Sequence, residues 1–215
     1  MLIAESLLLL ATDDATGKTT VARTYLDLAL GGAILTDLAV CGCVVVDGEG
    51  RKARVTLTQQ QPGNDPTLAV ATRRLAEAGR SLTPNDAIRM LSKGLRDRLH
   101  DVLESRGILL REETRVLGVF PTTRWPSGGA PHRAAIRAEL RDILLHRQQP
   151  SIHAAALITF LNPVDMLKTV VDRPDLKAAW DRAREIQDEN WAADAVHRAI
   201  RASQSAVAAA TLRGP

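Results

Sequence analysis

Aromatic residues make up only 3% of this 215-residue chain, with one Tyr, two Phe and three Trp. Aliphatic side chains must therefore pack the core, and the abundance of Leu, Ala and Val points to a mostly α fold. Cysteine is equally sparse, and Cys41 and Cys43 alone suit a reduced, cytosolic compartment. Long apolar runs are missing too. Met1 to Ala11 is apolar, but Glu5 interrupts it, no basic segment precedes it, and no stretch reaches the ~18 residues of a membrane span. We expect a buried first helix there, with neither a targeting signal nor an anchor. Lysine is confined to Lys18, Lys52, Lys93, Lys168 and Lys177, and the resulting Arg/Ala bias suits GC-rich, bacterial coding. A large excess of one charge is also absent. The net charge is +3 with Asp and Glu spread throughout, so attraction to an anionic partner must come from a local patch.

What is present is a 45% hydrophobic chain that can bury roughly 70% of its unfolded surface, which excludes a disordered protein. Asp13 to Lys18 reads as a turn. Leu26, Leu30, Ile34 and Leu38, four apart, give a helix with one apolar face that stops at Gly42. Val44 to Val46 then returns through Val55 and Leu57 as a hairpin across Asp47-Gly48. Gln59 to Pro66 is polar and turn-rich, a connection between possible lobes 1–58 and 67–215 of a single 1–215 domain.

Thr83-Pro84-Asn85-Asp86 starts a helix, with Thr83 as N-cap and Pro84 in the first turn. Its buried stripe is Ile88, Leu91, Leu95, Leu99, Val102 and Leu103, and a second face carries Arg89, Lys93 and Arg96. Gly107 ends that helix. Ile108 to Leu110 with Val116 to Phe120 predicts a second hairpin, left through Arg124-Trp125-Pro126. Helices follow around 132–147, 151–171 with a break at Pro163, and 175–211.

Few residues suggest chemistry. Thr16-Gly17-Lys18-Thr19 ends like a phosphate-binding loop, but helix and not strand precedes it, so a plain turn is expected. Cys41 and Cys43 lack a histidine at zinc-ligand spacing and read as two small thiols at a helix end. Asp13 and Asp14 read as a solvated turn. No nucleophile elbow or glycine fingerprint occurs, so neither an enzyme, a cofactor nor a metal is expected. The best candidate is the cationic face of Arg89, Lys93 and Arg96, with Arg98 beside it, because arginines on one face can grip a phosphate. Trp125, an aromatic beside a cation near a hairpin, is a second candidate, suited to a membrane interface or a partner pocket.

Glu5-Ser6-Leu7-Leu8-Leu9-Leu10-Ala11 is followed by Asp13, Asp14, Thr16 and Gly17. Then come Leu35-Thr36-Asp37-Leu38-Ala39 and Leu95-Arg96-Asp97-Arg98-Leu99, leading into Arg106-Gly107-Ile108-Leu109. In that order and spacing the chain resembles the Golgi phosphoprotein family of phosphatidylinositol 4-phosphate-binding peripheral membrane proteins, and looks most like its bacterial relatives. The resemblance implies one mainly helical domain with a central bundle and a projecting hairpin. It implies a non-enzymatic protein on the cytoplasmic face of the inner membrane, bound to an anionic phospholipid headgroup. Two family pocket arginines fall on Lys93 and Arg96. The family's pocket tryptophan and early-helix arginine fall on Ala22 and Gly31, which supply neither ring nor charge. Arg89 and Arg23 are auxiliary candidates. The second hairpin, by the same resemblance, serves self-association and membrane contact through Trp125, and membrane proteins are implied as clients.

A different class competes. A helix ending in glycine before a Val-rich hairpin, twice over, also suits tandem winged-helix lobes that bind nucleic acid. The first copy, Thr36-Asp37-Leu38-Ala39-Val40, offers no Arg or Asn to a base edge, and that disfavours it.

Overall fold

A computed structural model describes residues 1–13, 16–48, 50–116, 120–125, 130–161, 166–188, 201–205 and 207–208. Asp14, Pro126, Pro163, Trp191 and most of the expected final helix beyond residue 188 lie outside the described residues. Helix α1 (Ile3–Ala11) leads through a turn to α2 (Arg23–Val40), then to β1 (Val44–Asp47) and β2 (Arg54–Leu57). Next come α3 (Pro66–Glu77), α4 (Pro84–Ser92) and α5 (Leu95–Ser105), β3 (Glu112–Val116) and β4 (Phe120–Arg124), and finally α6 (Ala130–Leu145), α7 (Ile152–Leu161) and α8 (Leu176–Asp188). The protein is mainly α, with two antiparallel hairpins.

The apolar opening becomes a helix buried on every side, since each of the nine residues of α1 is buried, Glu5 and Ser6 included. Such a helix must find protein acceptors for its first N–H groups, because water cannot reach them. Asp37 of α2 supplies two: the Ile3 and Ala4 N–H groups donate to its carboxylate at 2.9 and 3.2 Å. The Leu2 N–H donates to Glu5 Oε2 at 3.0 Å, and Arg106 Nη1 reaches both Glu5 oxygens at 3.0 Å. Burial pushes the Asp37 carboxyl up to about 7 in spite of the two backbone bonds, and the Glu5 charge adds to the rise.

Around this point the layers close. Every residue of α2 from Ala29 to Ala39 is buried, as is every residue of α7 from Ala154 to Leu161. These apolar helices form the centre, which α4, α5, α6 and α8 cover with one buried stripe each. Closest approach occurs at the Gly31-Gly32 pair. A Cβ on Gly31 would lie 2.7 Å from the Ile88 carbonyl oxygen of α4, and one on Gly32 would lie 3.0 Å from the Phe160 ring of α7. Two neighbouring helices thus pack directly against the α2 backbone.

Several expectations are met in detail. The first hairpin pairs Val44 with Leu57 and Val46 with Val55, so its valines alternate between core and solvent. Thr83 Oγ1 accepts from the Asp86 N–H at 3.2 Å and caps α4. Asp13 Oδ1 accepts from the Thr16 N–H at 2.8 Å, a local turn following a helix, as read for this loop.

Others need correction. The helix expected to run from Pro84 past Leu103 is two helices, broken at Lys93-Gly94, where Gly94 takes φ +62°. A left-handed residue cannot continue a helix, and glycine adopts that conformation without a Cβ clash. The strands of the second hairpin begin later than expected: Ile108 and Leu109 are buried in the core, and pairing runs from Glu112↔Arg124 to Val116↔Phe120. Helix α3 went unread. Asp65 caps it by accepting from the Thr67 and Leu68 N–H groups at 2.9 and 3.0 Å, and Pro66 occupies its first turn.

The winged-helix alternative loses the first of its two recognition helices, because with residues 29–39 buried all round α2 has no face left for a groove.

Two outcomes follow from these contacts. Gly31→Ala should destabilise the fold by about 1–3 kcal/mol despite the better helix propensity of alanine, because backbone of α4 must move; urea denaturation measures it. Asp37 carries a raised folded pKa near 7 against 3.8 in a free chain, so its contribution is complete below about pH 4 and is lost as pH rises through 7. The stability of the wild type relative to Asp37→Asn should therefore be greater at pH 4 than at pH 8, in matched denaturation series.

Candidate functional site

The α4–α5 break decides where the cations go. Lys93 follows the last residue of α4 as its C-cap in an extended conformation (φ −61°, ψ 113°), Gly94 turns the chain, and α5 starts afresh at Leu95. Lys93 and Arg96 are therefore not two positions on one helical face. Lys93 is exposed. Arg96 is only 12% exposed in its side chain and lies 3.6 Å from the Asp27 carboxylate of α2. Burial raises the Asp27 pKa, an effect that Arg96 and then Arg23 oppose. Arg23, exposed at the start of α2, therefore shares its electrostatic environment with Arg96 through that carboxylate.

The break also collects cations that spacing did not join. Arg74 of α3 donates Nη1 to the Lys93 carbonyl at 2.6 Å, and Arg98 of α5 donates Nη2 to the same oxygen at 3.1 Å. Partial burial lowers the Arg98 pKa, the charge of Arg74 lowers it further, and Asp97 works against both. Among the described residues no carboxylate lies within 4 Å of the charged groups of Arg74, Arg89, Lys93 or Arg98. Arg98 stood beside the expected stripe, but Arg74 had no signal in the sequence. Only the return of α3 past the end of α4 brings it in.

A model of the family described as Golgi phosphoprotein 3 (GPP34) matches residues 3–203. The chain belongs to this family. No curated protein matches it. In this Golgi phosphoprotein family member a Cβ on Gly31 would meet the Ile88 carbonyl and the Ser92 Cβ at 2.7 and 3.1 Å, so α4 leaves no room for a side chain there. Ala22 caps the start of α2 and is exposed.

Trp125 does not project freely. It is half-buried, stacked on His100 with ring centroids 4.5 Å apart and planes within 4°, and its backbone N–H donates to the Gly17 carbonyl at 3.3 Å. The Arg111 guanidinium carbon sits 5.8 Å from the ring centroid. A ring with a face already covered has less area for an interface than the sequence suggested. The Cys41 Sγ contacts Cys43 Sγ at 2.9 Å, and burial pushes the Cys43 thiol up to about 12, so it stays a neutral packing group. No group of three metal-ligating side chains occurs among the described residues.

His100 is buried, and its Nε2 has no hydrogen-bond partner among the described residues. Burial lowers its pKa from 6.5 to about 4, Arg96 lowers it further, and Asp97 opposes them. A depressed folded pKa means full stabilisation above about 6.5 and progressive loss as pH falls toward 4. Acidification across that window should release the stack. The tryptophan emission should then shift to the red in wild type, and the shift should be absent in Trp125→Phe and diminished in His100→Phe.

Proposed function

We propose that this family member is a non-enzymatic peripheral membrane protein that docks on anionic phospholipid headgroups. Phosphatidylinositol 4-phosphate is the headgroup its resemblance implies, and the cytoplasmic face of the inner membrane its place. The observation that carries this reading is the group of cations at the α4–α5 break, Arg74, Lys93 and Arg98, whose charged groups have no carboxylate within 4 Å among the described residues. No helix among the described residues is long and apolar enough to cross a membrane.

In this reading Lys93 contributes an exposed point charge and Arg96 a guanidinium that a headgroup phosphate draws away from Asp27. A dianionic phosphate competes well with a single carboxylate at 3.6 Å in a partly exposed setting. Arg89 and Arg23 add field at the edges. One such site holds a protein weakly, so self-association through the second hairpin, with membrane-protein clients gathered on the same surface, belongs to the proposal.

Cosedimentation with phosphatidylcholine vesicles, with and without phosphatidylinositol 4-phosphate, tests it. Each cation near an anionic surface contributes about 1 kcal/mol, so Lys93→Ala with Arg96→Ala should weaken phosphoinositide-dependent binding by about ten- to thirtyfold. Asp27→Asn should strengthen it, because Arg96 loses its internal competitor. Equal sedimentation with and without the phosphoinositide removes the reading.

A further inference from the structure

Arg74 and Arg98 come from different helices and converge on one oxygen. Capping explains part of this, since the last carbonyls of a helix accept readily from basic side chains. One guanidinium satisfies that need, however, and the second brings a like charge beside the first at a site without a carboxylate partner among the described residues. Each arginine spends one N–H of five on the carbonyl, so both forks keep donors free. Lys93, whose carbonyl anchors them, carries its own exposed ammonium, and Asp97 is the acidic group that acts on Arg98. The three cations against that carboxylate leave two positive charges uncompensated. A phosphate monoester dianion has the opposite charge and enough oxygens for two forks at once. The first turn of α5 opens here as well, with Gly94 giving no side-chain cap to its N–H groups.

We propose that Arg74 and Arg98 form a phosphate-monoester clamp at the α4–α5 break, with Lys93 as its third cation. The clamp rests on the membrane reading only for the source of its phosphate, which is either a lipid headgroup or a free monoester. Arg74 lies on α3 and Arg98 on α5, and neither is among the headgroup-pocket positions that the family resemblance implies, whereas Lys93 is one of them. The Lys93 carbonyl acts as the template that holds the two forks near one another before the ligand arrives, which lowers the ordering cost of binding.

The full chain, titrated with inorganic phosphate at constant ionic strength and separately with vesicles, distinguishes the sources. The vesicles contain phosphatidylcholine with either phosphatidylinositol 4-phosphate or phosphatidylserine, which carries no monoester. Arg74→Gln and Arg98→Gln should each weaken phosphate or phosphoinositide binding about tenfold or more, while Arg73→Gln, one residue away in an exposed pair with Glu77, should change it less than about twofold. Should a Gln variant lose its fold, Arg98→Lys keeps a donor for the Lys93 carbonyl yet removes the fork, and the same loss is expected.

Phosphate bound in solution and lost in these variants supports the clamp with a free monoester. Binding seen only on phosphoinositide vesicles, and lost in the same variants, supports it with a lipid headgroup. Phosphoinositide binding that Lys93→Ala with Arg96→Ala abolishes but Arg74→Gln and Arg98→Gln leave intact overturns the clamp and keeps the membrane reading. No binding to any probe, or equal loss in Arg73→Gln, overturns the clamp as well.

Discussion

Everything in this fold depends on burying α1 completely, and that is possible only because Asp37 and Glu5 take up its first N–H groups. A nine-residue apolar helix at the centre of a bundle brings strong burial, but its exposed backbone donors would otherwise be stranded away from water. The carboxylate of α2 reaches across 33 or 34 residues of sequence to meet them, and Arg106 at the end of α5 closes the group by pairing with Glu5. Three segments distant in the chain are tied at one point. The order of the layers follows from it, since α2 must lie beside the start of α1 and α5 must end near Glu5.

This arrangement gives the signature of the family a physical meaning. The motifs that carry the resemblance contain Glu5, Asp37 and Arg106: the two buried carboxylates take up N–H groups at the start of α1, and the partly exposed Arg106 pairs with Glu5. The Gly31-Gly32 pair is a second constraint on the fold, since α4 and α7 pack directly on the α2 backbone there.

Helix positions were legible where local chemistry was strong. The Leu26-Leu30-Ile34-Leu38 spacing, the Thr83-Pro84 start and the valines of the first hairpin all announced their elements, because period, capping and turn residues agree there. Asp65-Pro66 carried the same kind of signal for α3, though the polar residues before it read as a connection. The cationic site was only half legible. A continuous helix through Lys93 is what the apolar stripe demands, and a single glycine in such a stripe is often tolerated. Here Gly94 takes the left-handed conformation, the stripe resumes on a second helix, and the cations regroup. Arg96 turns to Asp27, while Arg74 arrives from α3.

By itself the sequence determined the class of fold, the apolar centre, the first hairpin and the family, because each rests on periodicity or on ordered local motifs. Tertiary structure alone decided which charges are cancelled and which remain. Where charges end up across helices depends on where chain segments separated by tens of residues come to lie, as the Arg74 bond to the Lys93 backbone carbonyl and the Arg96–Asp27 pair demonstrate, and no local pattern records that distance. The same reason sets the Trp125 ring against His100.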